Sequence, residues 1–448
     1  MNISAVILAA GQGTRMRSSM PKVLHPLLGS PMLLYSLEAA RLVTGTTPVL
    51  VIGHGGEKVK QAIGGAAHYA LQEPQLGTAH ALMQAEPILR GKADLVLLTA
   101  ADMPLITTET LSKLVQAQVA HAGPITLLSG RADTASDFGR VLRGPDGRIQ
   151  AVVEVAQATP EQLAVREVNT SIYCFAAEWL WDALHRIPLS PKGEYYLTDT
   201  ISLAVAEGLS VQGMQVEDSI ETLGINTRVQ LAEAEVALRQ RINRGWMLDG
   251  VTIVDPATTY IEPGVHIGTD TTIWPNTYLQ GNTEIGENSV IGPNAVLRNT
   301  RVGDGCKVLA SVLEDAVLED DVDVGPFGHL RRGAHLAQGV HMGNFGEVKD
   351  SYLGPGTKMG HFSYVGNATI GAEVNIGAGT VTCNYDGEKK SPTEIGAGAF
   401  IGSDTMLVAP IKIGEGARTG AGAVVTKDVP PDTLAVGMPA RRIKKLRK

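Results

Sequence analysis

Directly after an opening apolar run, the sequence places Leu8-Ala9-Ala10-Gly11-Gln12-Gly13-Thr14-Arg15-Met16 and, soon afterwards, Pro21-Lys22-Val23-Leu24. Glycines here let backbone N–H groups approach phosphate oxygens, while Arg15 and Lys22 supply cations that offset the charge developing during phosphoryl transfer. No Gly-Lys-Ser/Thr follows, so this is not a Walker loop, and Met16 stands where a dinucleotide fingerprint needs its third glycine. Further along, Leu97-Leu98-Thr99-Ala100-Ala101-Asp102 carries an apolar run to a carboxylate, which alone could cap a turn as readily as bind a cation. The chemistry these types and spacings suggest is that of a nucleotide phosphate.

These groups need a frame to hold them. Ala5–Ala10, Pro48–Ile52, Leu95–Ala100 and Ile125–Leu128 read as buried strands between amphipathic stretches, the signature of an α/β sheet. The phosphate loop then follows the first strand, and Asp102 lies past the end of a later one. From Thr227 to about Arg244 the pattern becomes helical, with Thr227 at the expected N-cap. Beyond Asp249, Ile261, Ile267, Ile273, Leu279, Ile285, Ile291 and Leu297 recur at every sixth residue. The register slips and resumes at Leu318, Val324, Leu330, Leu336, Met342 and Val348, then at Leu353, Met359 and Val365, at Ile370 and Ile376, and from Ile395 to Ile413. A six-residue repeat buries one aliphatic per short strand and turns a corner between, which builds a solenoid of stacked coils. The segment from Cys383 to Glu394 interrupts the repeat and should be ejected from the stack as a loop. The expected organisation is an α/β domain over 1–226, a linker helix over 227–248 and a hexapeptide-repeat domain over 249–448 with a basic tail.

The glycine loop with Arg15 and Pro21-Lys22 resembles the signature of sugar-1-phosphate nucleotidyltransferases. With the hexapeptide half, nearly the whole chain is similar to the bifunctional N-acetylglucosamine-1-phosphate uridylyltransferase/glucosamine-1-phosphate N-acetyltransferase family. The resemblance implies a Rossmann-like nucleotidyltransferase sheet followed by a left-handed parallel β-helix. It assigns Leu8, Ala9, Gly11, Gly13 and Lys22 to the nucleotide, with Arg15 and Lys22 assisting catalysis. It assigns Gln72, Gly77 and Thr78, in Gln72-Glu73-Pro74-Gln75-Leu76-Gly77-Thr78-Ala79-His80, to the uracil end. Asp102 and the distant Asn226 are implied as ligands of one Mg2+, and Gly139, Glu154, Asn169, Thr170 and Asn226 as contacts of the sugar phosphate.

In the second half, Leu330-Arg331, Glu347-Val348-Lys349, Gly360-His361-Phe362-Ser363-Tyr364, Val374-Asn375-Ile376-Gly377-Ala378-Gly379 and Cys383-Asn384-Tyr385-Asp386-Gly387 match the family's acetyltransferase site. Arg331, Lys349, Tyr364 and Lys390 are donors suited to a sugar phosphate, and Asn375 adds a neutral contact. His361 is the candidate general base, since the glucosamine ammonium must lose a proton near neutral pH. Asn384, Tyr385, Ser403 and Ala421 are implied for acetyl-CoA. Related acyltransferases are trimers with sites between subunits, so a homotrimer is expected.

The reaction expected is acetylation of glucosamine-1-phosphate, then attack of N-acetylglucosamine-1-phosphate on UTP. The alternative is another sugar-1-phosphate nucleotidyltransferase with a hexapeptide domain. A formal net charge of -8 argues against nucleic-acid binding, although the tail from Arg441 to Lys448 is basic. No apolar run is long enough for a membrane helix, and three scattered cysteines give no CxxC pair, so a cytoplasmic protein with reduced thiols is expected. The chain departs from its family's pattern where Ala100-Ala101 precede Asp102, where Ser171 follows Asn169-Thr170, where Val155-Ala156 follow Glu154, and at Arg332.

Overall fold

Val49–Ile52 and, but for Thr99, Leu95–Ala100 are apolar at consecutive positions, the pattern of strands covered on both faces, and both are buried up to the half-buried Ala100. They flank Ile3–Ala9 in parallel, and His68–Leu71 extends the same sheet beyond Val49–Ile52. On the other side Glu167–Ala176 runs antiparallel between Leu95–Ala100 and Ile125–Arg131, and Val211–Gln215 pairs in parallel with the latter. The computed structural model describes residues 1–131 and 138–445. By its contacts the chain divides into two units, Met1–Leu238 and Arg239–Lys448.

Alternate residues of the strands feed two cores in the first unit. Ala5, Ile7, Leu50 and Leu97 pack with Leu33 and Leu37 of helix Met32–Thr44 and Leu111 and Leu114 of helix Thr108–Ala120. Val6, Val51, Val96 and Leu98 pack with Leu180, Trp181 and Leu184 of helix Ala177–Leu184. With its mixed sheet covered on both faces this is the expected α/β domain. Its parallel strands Ile3–Ala9, Val49–Ile52, His68–Leu71 and Leu95–Ala100 all end at one edge, where open α/β sheets bind ligands. A bulge shifts the register of Glu167–Ala176 between Asn169 and Ile172. Within it Ser171 takes φ 61°, a conformation glycine adopts at less cost.

Helix Arg228–Leu248 opens with a reciprocal cap: Thr227 Oγ1 accepts the Gln230 N–H at 3.2 Å, and Gln230 Oε1 accepts the Thr227 N–H at 3.1 Å and the Asn226 N–H at 2.8 Å. It runs to Leu248, the end expected of the linker helix, and Ile242 and Trp246 of its last turns pack against the solenoid core.

In the second unit each coil contributes short strands to three long parallel sheets, the left-handed β-helix expected of the repeat. Ile261, Ile273, Leu279, Ile291 and Leu297 point inward and are fully buried. Each such burial is worth about 1.5–3 kcal/mol. Buried hydroxyls satisfy the corner carbonyls, as where Thr277 Oγ1 donates to Trp274 C=O and Thr283 Oγ1 to Gln280 C=O, both at 2.7 Å. The slips in register have a geometric origin. Ile285 pairs with Val302 and Val302 with Leu318, less than three hexapeptides apart, because the corners at Asn299, Ala310 and Asp315 are each one residue short.

The loop between Val381–Cys383 and Thr393–Ile395 leaves the stack, and the return at Tyr385 and Lys390 closes by an antiparallel bridge. The Asp386 carboxylate accepts the N–H groups of Glu388 and Lys389 at 2.9 and 2.8 Å and so shapes the tip. At the end, Ala440–Lys445 pairs antiparallel with Thr433–Gly437, so the basic tail begins as an added edge strand, and its residues 446–448 lie outside the described residues. All three cysteines are unpaired thiols. Among the described residues, no helix is long and apolar enough to cross a membrane.

Candidate functional sites

At the strand ends of the first unit lies a cavity of about 680 Å³. Of the residues expected to bind nucleotide or sugar, Leu8, Gly11, Gln72, Gly77, Thr78, Glu154 and Asn226 line it, as does Asp102. Ala9, Gly13, Arg15, Lys22, Gly139, Asn169 and Thr170 are not part of that lining. Gly13 matters through contact, since at φ 63° a Cβ on it would lie 2.6 Å from the Lys22 Cβ. The residue must be small and left-handed for the lysine turn to close on the glycine loop. Arg15 is exposed on the short turn Thr14–Met16.

Lys22 Nζ contacts Asp102 Oδ2 at 2.6 Å and Asn226 Oδ1 at 3.0 Å. Two oxygens from distant parts of the chain thus converge on one positive centre. Their approach is enforced by the backbone, because the Ile225 N–H donates to the Asp102 carbonyl at 2.9 Å and the cap at Thr227 holds the next residue. A carboxylate and an amide oxygen pointed at a common cation form a donor set that fits Mg2+, which keeps waters and takes substrate phosphates as its remaining ligands. Among the described residues no group of three or more His, Cys, Asp or Glu could cage a metal without such help.

At the base end, buried Gln72 donates its Nε2 to the Gly77 carbonyl at 2.9 Å and lies 3.3 Å from His80 Nδ1. His80 sits inside the stretch quoted for uracil, where nothing in the sequence signalled this contact with Gln72. At the sugar end, burial raises the Glu154 carboxyl above its ordinary range and the nearby Asp199 and Glu194 add to this, against the hydroxyl of Thr198 donated at 3.0 Å. Asn169 Nδ2 donates to the hydroxyl of buried Tyr173 at 2.7 Å. Thr198 and Tyr173 line the cavity and had no signal in the sequence. Ala100 lines it too, while Ala101 is buried beneath.

Two features of the second unit share one coil. On one face, strands Gly346–Lys349 and Ser363–Gly366 pair so that Glu347 lies beside Tyr364 and Lys349 beside Gly366. Arg331 Nη1 donates to Glu347 Oε1 at 2.8 Å, which raises the guanidinium pKa further. Lys390, from the ejected loop, approaches Lys349 and lowers the pKa of its ammonium, with Arg331 adding to the effect. Cations from separate segments crowded in this way favour a dianionic partner. Gly366 permits the crowding: a Cβ there would meet Tyr364 Oη at 2.4 Å and Asn384 Nδ2 at 2.8 Å. Glu347, which orients Arg331, was quoted in the sequence without a role.

The corner at His361 turns from strand Lys358–Met359 to strand Ser363–Gly366, which carries Tyr364. His361 lines a groove of about 740 Å³ together with Asn375, Ser403 and Ala421, all four expected at the acyl-transfer site. Small residues at successive corners, Gly360, Gly377, Gly402 and Gly420, keep the groove open, and His341, Lys358 and Phe400 complete a wall that sequence reasoning did not pick out. Tyr385 is exposed on the loop, and Asn384 is buried with its Nδ2 donated to Asn367 Oδ1 at 2.7 Å.

Comparison with known proteins adds a second line. The family model of the MobA-like NTP transferase domain matches residues 5–187, and that of the bacterial transferase hexapeptide (six repeats) matches residues 264–299 and 392–427. A protein of Exiguobacterium sibiricum called Bifunctional protein GlmU is 45% identical over 437 residues, 97% of either chain. Its namesake in Geotalea uraniireducens is 46% identical over 439 residues, 97% of this chain and 96% of its own. That of Pelotomaculum thermopropionicum is 49% identical over 413 residues, 92% and 90% of the two chains.

Proposed function

The chain belongs to the GlmU family and as a member is a bifunctional uridylyltransferase and acetyltransferase; we propose that it makes UDP-N-acetylglucosamine from glucosamine-1-phosphate, acetylating it within 249–448 and transferring uridylate within 1–226, with 227–248 as the linker helix. The observation that carries this reading is the convergence of Lys22, Asp102 and Asn226 at the cavity edge, remote in sequence from the His361 groove.

In the acetyl step the glucosamine ammonium gives a proton to His361, and the freed amine attacks the thioester carbonyl of acetyl-CoA. The C–N bond forms as the C–S bond breaks, and the proton the nitrogen then sheds neutralises the departing thiolate, which leaves as the CoA thiol. Arg331, Lys349, Tyr364 and Lys390 hold the sugar phosphate, Asn375 steadies the sugar, and Asn384, Tyr385, Ser403 and Ala421 bind acetyl-CoA. In the uridylyl step a phosphate oxygen of N-acetylglucosamine-1-phosphate attacks the α-phosphorus of UTP, and the bond to the β-phosphate breaks to release pyrophosphate. Gln72, Gly77 and Thr78 bind the base end, Leu8, Ala9, Gly11 and Gly13 cradle the nucleotide, and Gly139, Glu154, Asn169 and Asn226 orient the sugar. Arg15 and Lys22 meet the charge that develops. Asp102 and Asn226 would hold Mg2+, which when bound neutralises phosphate charge.

A homotrimer is supported by an apolar ladder at one corner, where Phe327 and Phe345 stack with centroids 5.2 Å apart and, with Phe362 on the next coil, remain 58, 60 and 56% exposed. The cosubstrates UTP and acetyl-CoA favour a cytoplasmic location.

Incubation with glucosamine-1-phosphate, acetyl-CoA, UTP and Mg2+, omitting one at a time, tests the whole scheme: product should require all four. A chain truncated after Arg244 should keep uridylyl transfer to N-acetylglucosamine-1-phosphate and lose acetylation. If that truncated chain folds yet forms no UDP-N-acetylglucosamine, the division of labour is wrong. Within the acetyl site, Gly366→Ala should displace the Tyr364 hydroxyl, and a hydrogen bond to a charged group is worth roughly 1.5–3 kcal/mol, so kcat/KM for glucosamine-1-phosphate should fall about 10–100-fold. Steady-state kinetics at saturating acetyl-CoA would read it, and an unchanged constant would detach Tyr364 from the phosphate.

A further inference from the structure

His25 follows the short turn Lys22–Leu24 and closes it, its N–H donating to the Lys22 carbonyl at 3.2 Å while its own carbonyl accepts the Met32 N–H at 3.0 Å. The side chain is 3% exposed. Its Nδ1 lies 3.2 Å from a guanidinium nitrogen of Arg228, the first residue of helix Arg228–Leu248 and two residues beyond Asn226. Since guanidinium only donates, Nδ1 accepts and the imidazole proton resides on Nε2. That Nε2 is buried with no hydrogen-bond partner among the described residues. A buried donor left unpaired destabilises a fold, and an apolar side chain of similar size would avoid the cost. Packing therefore does not account for a histidine here, whereas its contact with Arg228 does.

We propose that His25 is a positioning residue for uridylyl transfer: through Arg228 it ties the turn that carries Lys22 to the helix start that presents Asn226. The inference rests on the uridylyl reading of the cavity. Two side-chain ties join these segments, Lys22 to Asn226 and His25 to Arg228. The first is made by groups that must turn to substrate phosphate and to metal, so it loosens when the site fills. The second uses neither group and persists, keeping Lys22 in register with Asp102 and Asn226 while their partners change. The cap formed by Thr227 and Gln230 fixes the helix end of the same tie.

The full-length chain tests this with three substitutions. His25→Asn keeps an acceptor near the position of Nδ1, His25→Gln moves it to that of Nε2, and His25→Leu removes it. Misplacement of catalytic groups on the scale of an ångström costs up to about 10²-fold, so the Gln and Leu variants should lose about 10–100-fold in uridylyl kcat, with Asn near the parent. Calorimetric binding of UDP-N-acetylglucosamine in EDTA should be unchanged in all three, as should acetyl transfer, and the Leu variant should melt no lower than the parent. His25→Leu combined with Arg228→Ala should cost no more than the greater single loss, the non-additivity of residues in contact. A parent-like kcat in the Leu variant, or an Asn variant as slow as Leu, would overturn the proposal. A parent chain that forms no UDP-N-acetylglucosamine would instead overturn the uridylyl reading itself.

Discussion

Replacing Asp102 with alanine is expected to lower uridylyl transfer about 10³-fold, the equivalent of several kcal/mol of lost charge stabilisation, while acetyl transfer by the same chains continues at the parent rate. The carboxylate is 24% exposed and pairs at 2.6 Å with a Lys22 side chain only 12% exposed, so both charges act in partial shelter from water. Its loss leaves the ammonium facing the neutral Asn226 amide and removes the one anionic oxygen of the proposed Mg2+ pair. Asp102→Asn separates charge from shape: it keeps the volume and one carbonyl-type oxygen, and it should share most of the loss. The measurement is kcat for UDP-N-acetylglucosamine formation across a Mg2+ titration, with acetylation as the internal control. A rate in Asp102→Asn close to the parent's would take the carboxylate out of the mechanism.

His361→Ala should lower acetyl transfer by about 10²–10⁴-fold, the range typical of general acid–base catalysis, and leave uridylyl transfer unaffected. His361 reaches the groove from a corner whose backbone is set by stacked coils above and below, so the imidazole is removed without disturbing a core side chain. Single-turnover acetylation at saturating glucosamine-1-phosphate and acetyl-CoA checks it. An unchanged rate would return His361 to the status of a corner residue, and another base would have to be sought along the groove.

The solenoid was readable almost residue by residue, since each coil buries its own aliphatics against the next and needs no distant partner: Ile261, Ile273, Leu279 and Ile291 are as buried as their spacing requires. What the spacing could not explain was each slip in the register. Positive φ occurs at full-length corners, as at Asn276, Asn288 and Asn294, as well as at the short ones of Asn299, Ala310 and Asp315, so the residue at a corner does not announce its length. In the first unit the strand Leu95–Ala100 was legible from its apolar run, whereas the bulge at Ser171 was not, because it arises from the mismatch of two paired strands. Helix Arg228–Leu248 started where Thr227 predicted, and its last turns, where the helical pattern had faded after Arg244, are held by packing of Ile242 and Trp246.

For the sites, the sequence by itself determined the residue types available: a glycine loop with two cations, a carboxylate after a strand, and a histidine at a coil corner. Local chemistry and short-range periodicity are enough for that, and resemblance to a family supplied the expected roles. Only the tertiary structure decided which of them meet. Lys22 reaches Asp102 across 80 residues of chain and Asn226 across 204, and the Ile225 N–H donated to the Asp102 carbonyl brings those two together. It also introduced partners with no sequence signature of their own, such as Thr198 on Glu154 and Arg228 on His25, and gave Glu347 its place on Arg331. A side chain's type is local information, but its neighbour is set by the sum of all the packing between them, and no spacing along the chain encodes a contact closed by a fold.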